Sequence, residues 1–249
     1  MVLEKRYMEY IERNYRNLIA EKDLESFQVI LGESDLFIRA NKNLKSAALD
    51  FLLECRDEIK KYIYQKPLFK ESLEPVKQDR EAAEFIQSMI LAGKLCGVGP
   101  MAAVAGAVAE NVGKKLLQFS PEVIVENGGD IFVKSNQIRK TIIFAGESPL
   151  SQKVILNIDT RKHPLGVCTS SGTVGPSLSF GRADAVTIIS KSTPLADAAA
   201  TAIGNIVRKK EDINYGLSRA KRIKGVVGAV IIKDDKIGFW GDIDFSIKN

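Results

Sequence analysis

Residues 123–133 read Val-Ile-Val-Glu-Asn-Gly-Gly-Asp-Ile-Phe-Val. Two apolar, largely β-branched runs, Val123 to Val125 and Ile131 to Val133, flank the turn Glu126-Asn127-Gly128-Gly129-Asp130. β-Branched and aromatic residues suit a pleated surface, and Asn-Gly is the strongest short hairpin signal. The stretch predicts two antiparallel strands and a tight turn. Adjacent glycines admit positive φ and let backbone N–H groups face a ligand. The turn therefore has two readings, a plain hairpin or an anion-binding loop. In the second, Asp130 is the candidate catalytic residue.

Outward from this hairpin, strands are expected at Thr141 to Phe144, Val154 to Ile158 and Ala185 to Ser190, with Ser135-Asn136-Gln137 as a hairpin turn. Further hairpins are expected at 27–31 with 36–40, around Gly32 to Asp35, and at 225–232 with 237–240, around Asp234-Asp235. Leu44, Ala48, Phe51, Leu52, Cys55, Ile59 and Ile63 share one helical stripe, which must end near Pro67. Residues 67–79 read as a loop. A second helix carries Phe85, Met89, Ala92 and Cys96 on one face, and Gly97, Gly99 and Pro100 break it. The third, 101–117, opens with MAAVAGAVAE, a surface of small side chains. Such a surface packs tightly against a sheet or admits a ligand. Glycine inside a helix costs about 1 kcal/mol against alanine, so Gly106 points to a close approach. Thr193 and Pro194, as N-cap and first-turn residues, open a helix that runs to about Arg208. The pattern predicts one α+β domain over residues 1–249, an antiparallel sheet with helices mainly on one side.

Composition limits the function. Of 249 residues, 45% are hydrophobic and 27% charged, which excludes global disorder. The longest uncharged apolar run, Leu95 to Ala109, is interrupted by glycine and proline; a bilayer span needs about 20 apolar residues. The charged N-terminus lacks the pattern of a secretory signal. Cys55, Cys96 and Cys168 have no metal-ligand spacing, and a reduced, cytoplasmic setting is the simplest expectation. One histidine, His163, rules out multi-histidine metal chemistry. The net charge of +5 is spread along the chain without a groove-reading motif, so no nucleic-acid partner and no membrane partner is expected. Mild positive charge suits a small anionic ligand. A homo-oligomer stays open.

Two more segments carry candidate chemistry. Cys168-Thr169-Ser170-Ser171-Gly172-Thr173 supplies hydroxyls and loop amides suited to phosphate or carboxylate. It lacks the lysine of a Walker loop and the pattern of a nucleophile elbow. It also reads as an ordinary polar loop, with Cys168 inertly packed. In Leu195-Ala196-Asp197-Ala198-Ala199-Ala200-Thr201, Asp197 and Thr201 share a helix face. A carboxylate and a hydroxyl are hard oxygen donors that suit Mg²⁺. Asp197 also simply favours a helix N-terminus.

In this order, VGPMAAVAGAVAE, EVIVENGGDIF, AGESPLS, GVCTSSGTVGPSLSFGRADAVTIIS and LADAAATAIGN resemble an uncharacterised family of cytoplasmic proteins related to ApbE. The wider ApbE group transfers FMN from FAD to a threonine of a target protein, using Mg²⁺. The resemblance implies an ApbE-like α+β fold with a flavin-nucleotide pocket. It assigns Asn127, Gly128, Gly129 and Asp130, with Thr169, Ser170, Ser171, Gly172 and Thr173, to cofactor binding. It assigns Asp197 and Thr201, with the backbone carbonyl of Ala105, to the metal. The chain departs from flavin transferases in two places. Their histidine-containing stretch ending in aspartate-proline is replaced by Val174 to Gly181, with neither histidine nor aspartate, and Ala105 stands where they carry a lysine. The resemblance implies a Mg²⁺-dependent transferase or hydrolase using FAD or a related flavin nucleotide, with weak or absent FMN transfer. The alternative is a non-catalytic protein that binds a flavin, a nucleotide or another anionic ligand.

Overall fold

A computed structural model describes residues 23–173 and 180–248. In chain order the elements are β1 (Glu25–Leu31), β2 (Ser34–Ala40), α1 (Lys45–Gln65), α2 (Leu68–Glu71), α3 (Glu84–Cys96), α4 (Val104–Leu116), β3 (Val123–Asn127), β4 (Asp130–Lys134), β5 (Ile138–Ile142), β6 (Val154–Asp159), β7 (Leu165–Ser170), β8 (Ala185–Ser190), α5 (Thr193–Gly204), α6 (Ile213–Arg222), β9 (Val226–Lys233), β10 (Lys236–Gly241) and β11 (Asp244–Ile247). Eight strands form one sheet in the order β1-β2-β3-β4-β7-β8-β9-β10, and every neighbouring pair is antiparallel. This is the expected α+β class.

Strand side chains alternate between the two faces. On one face, Val123, Val125 and Phe132 join α1, α3 and α4 in a helical core, and Cys168, Val186, Ile188 and Ile231 join α5 and α6 in a second. The alternate residues Ile124, Val133, Val167, Ile189 and Val230 face the other way. They pack on Leu156 and Ile158 of β6, in a three-stranded sheet ordered β11-β6-β5. Helices thus cover one face, as the pattern predicts, and a small second sheet covers the other, which it does not.

The turn expected at Ser135 to Gln137 joins no hairpin. β4 pairs with β3 and β7, whereas β5 pairs with β6 in the second sheet. Side chains satisfy the crossing backbone: Ser135 N–H donates to Thr160 Oγ1 (2.8 Å), and Asn136 N–H to Glu122 Oε2 (2.9 Å). The buried Arg139 closes this corner, donating to Ser135 Oγ (2.7 Å), Glu122 Oε2 (2.9 Å) and Asp23 Oδ2 (2.8 Å). The strand expected at 141–144 consequently lies earlier, at Ile138–Ile142. A strand, β7, lies where none is expected and runs into the hydroxyl-rich segment Cys168 to Thr173, and α2 lies inside the expected 67–79 loop. The α5 cap is Ser192, whose hydroxyl accepts from Leu195 N–H at 3.4 Å; Thr193 and Pro194 are the first helical residues, and the helix stops at Gly204 rather than near Arg208.

Candidate functional site

The β3–β4 hairpin pairs Asn127 with Asp130 across Gly128 and Gly129, whose φ values are 68° and 104°. Positive φ at both turn residues matches strand twist, so the local sequence dictates this geometry. The Gly129 N–H donates to Glu126 Oε1 at 2.7 Å, so one of the two loop amides is already used.

α4 and α5 approach closely at Gly106. A Cβ there would sit 2.6 Å from the Thr193 carbonyl oxygen and 2.9 Å from Asp197 Cβ. Glycine lets the Gly106 N–H reach Asp197 Oδ2 at 2.8 Å. The neighbouring Ala105 carbonyl accepts from Asn127 Nδ2 at 3.1 Å. Asp197, the start of α4 and the end of β3 thus meet through side-chain-to-backbone bonds. Asp130 joins them: it pairs in register with Cys168 on β7, and Asp197 lies within electrostatic reach of both.

Both carboxylates are nearly enclosed, Asp130 at 8% exposure and Asp197 at 9%. Burial lifts the Asp197 carboxyl to about 7, opposed by hydrogen bonds from the Gly106 and Ala105 amides. Burial and then the Asp197 charge push the Asp130 carboxyl well above the usual carboxylate range. Two enclosed acids side by side hold a proton or require a cation. Cys168 is no nucleophile here. Its thiol donates to the Thr193 carbonyl at 3.4 Å, and burial raises its pKa well above the ordinary thiol value. Cys96, at the end of α3, is also within reach of the Asp197 charge; burial and then that charge push its thiol to about 12. No sequence signal pointed to Cys96 or to the Glu126 bond.

The serine-rich segment divides. Thr169 Oγ1 meets Thr187 Oγ1 at 2.9 Å. Strand alternation sends this side chain to the face opposite Cys168 and α5. Ser170 lies against Gly204 at the far end of α5. Thr173 Oγ1 donates to Asp184 Oδ1 at 3.4 Å, and Ser171 Oγ accepts from the Thr173 N–H at 3.1 Å. β7 and α5 run side by side, from Gly166 against Thr193 to Ser170 against Gly204. Asp130, Asn127, Ala105 and Asp197 therefore gather along the first half of α5, Ser170 to Thr173 gather at its end, and the half-buried Thr201 lies between. Residues 174–179, where the histidine-containing stretch is expected to be missing, lie outside the described residues. His163 is half-buried in the loop before β7.

The donors gathered here suit a hard divalent cation: two carboxylates and the Ala105 carbonyl, which keeps a second lone pair beside its bond to Asn127, with the Thr201 hydroxyl one helical turn on from Asp197. Among the described residues, no cluster of three or more His, Cys, Asp or Glu is arranged to hold a metal. Mg²⁺ is commonly held by one or two carboxylates together with substrate phosphates, and this set fits that pattern. No single helix among the described residues is long and apolar enough to cross a membrane.

Residues 16–232 match the family model described as AbpE bacteria. A UPF0280 protein of Methanocaldococcus jannaschii is 38% identical over 89% of this chain and 92% of its own length. The fold is similar to the apo flavinyl transferase ApbE of Pseudomonas stutzeri, at a TM-score of 0.53 and 15% identity, covering 87% of this chain and 93% of that one. It is also similar to the ApbE protein of Thermotoga maritima, at 0.56 and 12% identity, covering 90% and 97%. The family model over residues 16–232, with the 38% identical relative, places the chain in the AbpE bacteria family, and its fold is the one seen in the ApbE structures.

Proposed function

We propose that this chain is a Mg²⁺-dependent protein using FAD or a related flavin nucleotide, as a transferase or as a hydrolase of the pyrophosphate bond. The observation that carries this reading is the enclosed pair Asp130 and Asp197, both pushed upward by burial, with Asp197 set against the Ala105–Gly106 backbone. Asp197, the Thr201 hydroxyl and the Ala105 carbonyl would hold the cation, with Asp130 as a further ligand or a base. A bound Mg²⁺ would neutralise charge developing on the pyrophosphate. The chain's own residues orient the site. The Gly106 N–H fixes one Asp197 oxygen, and the Asn127 amide fixes the Ala105 carbonyl. In this reading Asn127, Gly128 and Gly129 line one side of the ligand and Ser170 to Thr173 the other, while Thr169, turned to the opposite face of the sheet, offers only its backbone. The three cysteines are free, which suits a reducing cytoplasm.

FMN transfer to a protein threonine is weak or absent in this reading, because Val174 to Gly181 lacks histidine and aspartate and position 105 is alanine rather than lysine. The same departure favours a second reading, a non-catalytic binder of a flavin or another anionic ligand.

The test is an absorbance spectrum of the purified protein, followed by FAD titration with and without Mg²⁺. Mg²⁺-dependent FAD affinity is expected. Affinity indifferent to the cation refutes the metal-dependent reading. Release of FMN and AMP from FAD separates the enzyme from the binder. Strong covalent labelling of a threonine peptide refutes the loss of transfer.

A further inference from the structure

The far end of α5 carries groups that the reading above leaves unused. Phe180, Gly181, Arg182 and Arg208 line a cleft of about 370 Å³. The backbone holds it in place. A Cβ on Gly181 would overlap the Gly204 carbonyl, so this segment lies directly on the last residue of α5. The Phe180 N–H donates to Asn205 Oδ1 at 3.0 Å and the Arg182 N–H to the Val207 carbonyl at 2.9 Å. Phe180, Arg182 and Arg208 are exposed. The neighbouring acid, Asp212, already accepts from the Arg208 and Lys209 amides at 2.9 and 3.1 Å. On the other side, a Cβ on Gly172 would come within 2.5 Å of the Gly181 carbonyl oxygen, so the serine-rich segment borders the same place.

We propose that this end of α5 is a second anion site. It takes the phosphomonoester of a mononucleotide between Arg182 and Arg208, with the base or flavin ring against Phe180. A guanidinium presents planar paired donors that match phosphate and also stacks on rings, and an exposed phenyl ring is a stacking platform. The carbonyl end of α5 attracts cations by itself. That accounts for positive charge here, but not for an exposed aromatic ring beside it. At 1.5 Å per residue, the seven residues from Asp197 to Gly204 span roughly 10 Å. The site therefore binds a phosphate separate from the pyrophosphate placed near Asp197. The inference rests on the proposed function only for the identity of the nucleotide.

FMN and AMP are each titrated calorimetrically in EDTA, so that the Asp197 site contributes nothing. Both are compared with riboflavin and adenosine, which lack the phosphate. Arg182→Ala and Arg208→Ala are each expected to weaken mononucleotide binding about tenfold or more, the scale of one charge-assisted hydrogen bond. Lysine at either position restores part of it. FMN bound more tightly than AMP assigns the flavin half, and the reverse assigns the adenylate half; either supports the site. The proposal is overturned if neither mononucleotide binds the wild type, if phosphate-free ligands bind as well, or if the arginine variants bind normally while their thermal melts match wild type. Mg²⁺-dependent FAD affinity is measured on the same variants. Its loss in Asp197→Asn alone, or its absence in wild type, concerns the proposed function and not this site.

Discussion

Asp197→Asn isolates the electrostatics of the buried pair. In the folded protein the Asp197 carboxyl sits at about 7, against an ordinary 3.8. The folded state therefore holds a proton that the unfolded chain releases between those values. Without a divalent cation, the stability contributed by the Asp197 proton is full below about pH 4, falls as the pH rises towards 7, and is gone above it. At 1.36 kcal/mol per pH unit, the loss is at most roughly 4 kcal/mol. Asparagine keeps the shape and an oxygen for the Gly106 N–H, but cannot ionise. It also removes the like charge that raises Asp130. Exchanging an oxygen for an amide that faces the Ala105 N–H costs about 1–3 kcal/mol at every pH. The magnitude at one pH is thus a difference of two terms, but its pH dependence is not. The melting temperature of Asp197→Asn minus that of wild type should climb between pH 4 and pH 8, by up to on the order of 10 °C at about 2–4 °C per kcal/mol for a chain of this size. The assay is thermal denaturation in EDTA across that range. A difference that stays flat or falls with pH refutes the picture of an enclosed, charge-starved carboxylate. Adding Mg²⁺ should raise the wild type and not the variant.

Gly106→Val places side-chain atoms where even a Cβ is 2.6 Å from the Thr193 carbonyl; it should cost about 1–3 kcal/mol in urea denaturation and weaken Mg²⁺-dependent FAD binding, and an unaltered midpoint would refute the close approach. Arg139→Ala leaves Glu122 buried beside Ser135 without its cation; a loss of about 3–5 kcal/mol is expected by the same measurement, and a loss below about 1 kcal/mol would show that this corner does not hold the two sheets together. Burial, the leading cause for both, puts the Cys55 and Cys96 thiols at about 12, and Cys168 is enclosed. All three should therefore react slowly with a thiol reagent at pH 8 in the native protein and quickly in denaturant; fast native labelling of Cys168 would contradict its inert packing.

Local sequence determined those parts of this protein whose geometry is local. Asn127-Gly128-Gly129-Asp130 specifies its own hairpin, because two adjacent glycines accept positive φ that other residues resist. The α1 stripe is legible for the same reason: Ala48, Leu52, Cys55 and Ile59 recur at helical spacing, and all are buried. Gly106 announced a close contact because its placement in a helix has a cost that some neighbour must offset.

Tertiary structure decided what depends on residues distant in sequence. β7 hides in a stretch rich in glycine and hydroxyls, since its strand character comes from pairing with β4 and β8 and not from its own residues. Ser135 to Gln137 looks like a turn, yet Glu122, Thr160 and Arg139 bind that segment and carry the chain into another sheet. The site follows the same division. Asp130 and Asp197 each suggest chemistry in their own segment, but only the packing of α5 on β7 and α4 makes them neighbours and encloses them. Burial and mutual repulsion, which sequence spacing does not encode, turn two ordinary aspartates into a pair that calls for a proton or a cation.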